Sequence, residues 1–212
     1  MTRTARILLL IAALAVAASS AVSAGAAAAP AEWRAGAEVL GLTLLWVIAA
    51  AAVFAWGRVD PLSTMGFKRG RWPDVLIGIG AGIVLMLAVP LLAMLASAIA
   101  GDTGLIETAA ARPAWLVLLG VLTASGTEEI VYRGAAMGAL QRAGAGWGWQ
   151  LLLPAAAFTA THLSWSPAHT LVVVLPLALA LGALYLWRRS LVVTVIAHLV
   201  IDAPLVAIAL MS

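Results

Sequence analysis

Seven apolar runs, near residues 7–29, 36–56, 75–100, 113–141, 147–163, 171–187 and 191–210, occupy most of this 212-residue chain. A helix needs roughly 20 apolar residues to cross a bilayer, so the runs predict an all-α fold: a polytopic membrane helix bundle of six to seven transmembrane helices. Composition excludes the alternative of a water-soluble domain. Apolar residues make up 64% and charged residues 10% of the chain, against about 45–50% and about 25% in ordinary soluble domains. With no cysteine, disulfide frameworks, thiolate nucleophiles and Cys-type metal sites are ruled out, leaving His, Asp and Glu as possible metal ligands. The net charge of +3 is scattered through short loops, so the partner it implies is the lipid bilayer and not nucleic acid.

Basic residues test the count of spans. With the N-terminus inside, the inner loops carry Arg3, Arg6, Arg58, Lys68, Arg69, Arg71, Arg142, Arg188 and Arg189, while the outer loops carry Arg34 and Arg112. This bias follows the positive-inside rule and predicts an integral, multi-pass protein of a bacterial inner membrane. The run 7–29 reads as a retained first span; Val22-Ser23-Ala24 resembles a signal-peptidase site, and cleavage there would leave six spans in the same orientation. Eight of the nine tryptophans fall near segment ends, as interfacial anchors do, and Trp46 sits inside a segment. Three parts are expected: 1–29 as the first helix or signal-like segment, 30–112 as two spans joined by a basic, solvated loop, and 113–212 as a functional helix core.

The polar residues inside the apolar runs carry the chemistry. Glu128, Glu129 and Arg133 share the run 113–141; an ionised group at a helix centre costs about 2.5–3.5 kcal/mol on insertion scales, so all three need partners or a polar cavity. Glu129 and Arg133 lie four residues apart and can pair locally. Glu128 is rotated about 100° away, lacks that partner, and is the better candidate for a chemical task. Phe158 and His162 are again four apart, as are His198 and Asp202, each pair projecting from one helix face. With both histidines neutral, two negative charges remain when Glu128, Glu129 and Asp202 are set against Arg133, so a shared proton, a protonated His or a bound cation is required. His169, beyond the outer boundary, reads as interfacial. Ser125 matches a capping box with Glu128 but sits in no nucleophile turn, and His-Glu-x-x-His and Walker motifs are absent. At 29 residues the run 113–141 would make a helix of about 43 Å, so a tilt or a break near Gly126 is expected.

In their order along the chain, Glu128-Glu129-Ile-Val-Tyr-Arg133-Gly134, Phe158-Thr-Ala-Thr-His162 and His198-Leu-Val-Ile-Asp202 resemble the three motifs of the CAAX protease and bacteriocin-processing family. This CPBP or Abi group of intramembrane endopeptidases includes the type II CAAX prenyl endopeptidases. The resemblance covers roughly residues 113–210. It implies a membrane hydrolase cutting a peptide bond of a membrane-associated, prenylated or bacteriocin-type substrate, with Glu128 as general base, His162 assisting, and His198 and Asp202 at the oxyanion or holding water. Glu129, Arg133 and Phe158 would support them. Water activation by Glu128 and His162 alone, or by a divalent metal such as zinc on Glu128, His162, His198 and Asp202, are both compatible with it. The other readings of the same residues are a non-catalytic immunity or scaffold protein and a proton or cation transporter.

Overall fold

A computed structural model describes residues 30–101, 104–163 and 166–212. The predicted span 7–29, Asp102 and Trp165 lie outside the described residues. Within them every regular element is helical, and five helices are long and apolar enough to cross a membrane. These are α1 (Arg34–Gly57), α2 (Trp72–Ala100), α4 (Ala114–Arg142), α6 (Pro167–Arg188) and α7 (Leu191–Met211). Between α2 and α4 lies the short α3 (Leu105–Ala110), and α5 (Trp147–Ala160) precedes α6. Bulky apolar side chains such as Leu87, Leu91, Met94 and Ile99 of α2 are exposed, as expected where the neighbour is lipid rather than water.

Two expectations change. The run 147–163 does not form one full span: α5 has 14 residues, about 21 Å at 1.5 Å per residue. It stops because side chains take over its carbonyls, the Thr161 hydroxyl donating to Phe158 O at 2.6 Å. His162 is thereby placed in a tight turn rather than on the helix. The long α4 does not break near Gly126 either. It widens into π-helix over Glu129–Met137, a local form that is rare and concentrated at functional sites.

The helix carrying His198 is held by glycine notches. Gly78 and Gly82 of α2 repeat at the four-residue spacing that lets membrane helices approach closely, and a Cβ at Gly82 would lie 2.6 Å from Val200 Cβ and 2.8 Å from Ala197 O of α7. Gly82→Val should therefore lower stability by about 1–3 kcal/mol through overpacking. Gly80→Val, where a Cβ meets nothing within 4 Å, should not. Thermal unfolding of the two variants in detergent checks this, and equal midpoints would contradict the notch.

The loop between α1 and α2 is more than the solvated connector its composition suggests. Lys68, Arg69 and Arg71 are exposed, but Met65 is fully buried beside Gly134 of the π-helical stretch. The Tyr185 hydroxyl donates to Met65 O at 3.0 Å, and the Leu191 N–H donates to Gly66 O at 3.0 Å. Asp74 pairs with Arg188 at 2.6 Å and Asp60 with Arg142. The loop thus plugs one end of the bundle and fixes α4, α6 and α7 relative to one another.

Candidate active site

Glu129 is the centre of a buried lock. Its Oε1 accepts from Arg133 Nη1 at 2.9 Å and meets His198 Nδ1 at 2.9 Å. The expected local pair is therefore present, and it has a third member from α7. Arg133 Nη2 also donates to Ala178 O of α6 at 3.2 Å, while its guanidinium stands 4.9 Å over the Phe158 ring of α5, a favourable cation–π position. One ion pair thereby ties α4, α5, α6 and α7 together. Glu129 is 0% and Arg133 2% exposed. A buried pair needs close partners to offset the loss of water; here they gather on Glu129 Oε1, while Oε2 is buried with no hydrogen-bond partner among the described residues.

The lock sets the direction of His198. An ionised carboxylate is acceptor-only, so Nδ1 is the nitrogen that donates to Glu129. Nε2 then faces Asp202 Oδ2 at 3.4 Å and Glu128 Oε2 at 3.9 Å. The expected pair of His198 and Asp202 is present, although its separation is longer than that to Glu129. Glu128 and Asp202 thus converge on one imidazole nitrogen.

His162 joins the group through Phe158. Its Nδ1 lies 3.0 Å from Phe158 O and 2.8 Å from Thr161 Oγ1, and its ring centroid is 4.8 Å from that of Phe158. Phe158 in turn lies 6.4 Å from the His198 ring and 5.3 Å, edge-on, from Tyr132. It is the common floor beneath both histidines and Arg133. The Thr170 hydroxyl of α6 donates to His162 O at 2.7 Å, fixing the turn from the other side. His169 sits in the first turn of α6, where its N–H is capped by Ser166 Oγ at 3.4 Å.

Exposure divides the seven predicted residues. Glu129, Arg133, His198 and Phe158 are buried, whereas the side chains of Glu128 and Asp202 are 16% and 24% exposed and His162 is half-buried. A buried scaffold thus carries an accessible rim of two carboxylates and an imidazole. Ser125 is not part of it: its hydroxyl donates back to Val121 O at 2.8 Å. Among the described residues no group of three or more His, Asp or Glu side chains is placed to hold a metal ion.

Sequence reasoning missed three contributors. Ala178 acts through its carbonyl, which leaves no mark in sequence. Thr170 lies in a second π-helical stretch, Thr170–Val174, that its apolar sequence does not announce. Trp46 carried a signal as the tryptophan away from the interface: its indole N–H donates to Thr123 Oγ1 at 3.1 Å and its ring rests on Gly126, just ahead of Glu128. Beside it, Trp46, Ala49, Ala50, Val53, Phe54 and Ile130 line an apolar cavity of about 340 Å³.

The stretch that holds all seven residues is also the stretch that matches a family model. Residues 110–204 match the family model described as type II CAAX prenyl endopeptidase Rce1-like. No curated protein and no solved structure matches the chain.

Proposed function

We propose that this integral membrane protein, which carries a type II CAAX prenyl endopeptidase Rce1-like domain over residues 110–204, hydrolyses a peptide bond of a membrane-associated, lipid-modified peptide. The observation that carries the reading is the accessible rim of Glu128, Asp202 and His162 on a buried Glu129–Arg133–His198 lock. Peptide hydrolysis needs a base, a donor for the developing oxyanion and restricted water, and the rim together with His198 of the lock carries groups suited to these tasks. Its placement in a bacterial inner membrane, N-terminus inside, rests on the distribution of basic residues.

Glu128, the carboxylate without a guanidinium partner, takes a proton from water as the water oxygen bonds to the scissile carbonyl carbon. His162, across Phe158, assists in orienting that water. His198 acts as an imidazolium: its Nδ1–H is committed to Glu129, and its Nε2–H, which rests toward Asp202, turns to the carbonyl oxygen as that oxygen gains negative charge. When the tetrahedral adduct collapses, the C–N bond breaks and Glu128 returns its proton to the leaving amine. The apolar cavity against Ile130, the neighbour of Glu129, favours a substrate with an apolar chain.

The test uses purified protein in liposomes with a farnesylated peptide as probe. Cleavage should survive dialysis against a strong chelator, because Glu128 and His162 act on the water, and His198 on the carbonyl oxygen, directly. Loss of activity that added zinc restores would assign a metal to the site instead. An intact probe under all conditions would contradict the hydrolase reading.

A further inference from the structure

The Tyr132 hydroxyl is buried and has no hydrogen-bond partner among the described residues. A buried hydroxyl left unpaired is costly, and in native proteins such groups call for a specific explanation. The Tyr132 ring cannot turn away to find a partner. It is 3% exposed, is held edge-on against Phe158 with the ring planes at 88°, and packs among Ala49, Ala136 and Val174.

Glu128 lies four residues before Tyr132, the same step that brings Glu129 and Arg133 to 2.9 Å on the adjoining face. The charged neighbours that act on the hydroxyl are Glu128 and Arg133. Arg133 is a donor only, and its Nη1 and Nη2 already serve Glu129 and Ala178. Glu128 is therefore the group that can receive the phenolic hydrogen.

We infer that Tyr132 is a positioning residue for Glu128, its hydroxyl donating to the Glu128 carboxylate when that group takes up its proton-accepting pose. Catalytic hydrogen bonds are often unmade in the resting protein and close only with substrate bound, which reconciles the unpaired hydroxyl with this role. The donor fixes one carboxylate oxygen and leaves the other to the attacking water. This inference rests on the proposed hydrolase activity.

Tyr132→Phe keeps the ring and its contact with Phe158 and removes only the hydroxyl. In the farnesylated-peptide assay kcat should fall about 10- to 100-fold, the worth of one charge-assisted hydrogen bond, with KM within about twofold. The unfolding midpoint should stay level or rise, because an unpaired buried hydroxyl has been removed. A kcat within about twofold of an active wild type would overturn the assignment. A lower kcat accompanied by a lower midpoint would overturn it too, by making the hydroxyl structural. Failure of the hydrolase reading itself is distinguishable: the wild type would then leave the probe uncut, and the inference would fall with it.

Discussion

Arg133→Met should lower the stability of the folded protein by about 3–5 kcal/mol, the cost of stranding one partner of a buried ion pair. The variant leaves Glu129, 0% exposed, without its guanidinium partner, and it also removes the donor to Ala178 O and the cation over Phe158. The expected readouts are a lower unfolding midpoint in detergent and reduced accumulation in membranes. Because the penalty comes from the stranded charge, the double variant Glu129→Gln, Arg133→Met should recover much of the loss; paired changes in one network are not additive. Activity should not return with stability, since His198 would lack the carboxylate that orients it. A midpoint for Arg133→Met within a degree of wild type would show that the lock does not hold the bundle.

Glu128→Gln should behave in the opposite way. The side chain keeps its size and its ability to accept a hydrogen bond but can no longer take a proton from water. Removal of a general base costs about 10²–10⁴ in rate, so kcat on the farnesylated peptide should fall by that factor. The unfolding midpoint should be unchanged, because Glu128 is partly exposed and lies outside the Glu129–Arg133 ion pair. Together the two variants separate the scaffold from the rim: one loses the fold and the other loses the chemistry. Activity of Glu128→Gln within about threefold of wild type would assign the base elsewhere.

What sequence could reveal here was governed by range. Apolar runs and the pairs Glu129/Arg133, Phe158/His162 and His198/Asp202 were legible because helical periodicity places residues four apart on one face. The contact between Glu129 and His198, 69 residues apart, depends on α4 and α7 lying against each other, and periodicity carries no information on which helices meet. The Gly78 and Gly82 notches explain how α7 is seated, yet their use follows only from the α2–α7 contact. Hydropathy also misjudged 147–163: Thr161 and His162 are tolerated in an apolar window, and their side-chain hydrogen bonds end the helix. The π-helical stretch at Glu129–Met137 has no compositional signature to announce it.

The most direct test of the central claim compares the termini of membrane proteins and peptides in cells producing wild type or Glu128→Gln at matched levels. Termini that appear only with wild type are the predicted result, and they would identify the substrate and the bond cut. Indistinguishable termini in a well-sampled membrane fraction would contradict it, and would mean that the Glu128 site serves binding rather than hydrolysis.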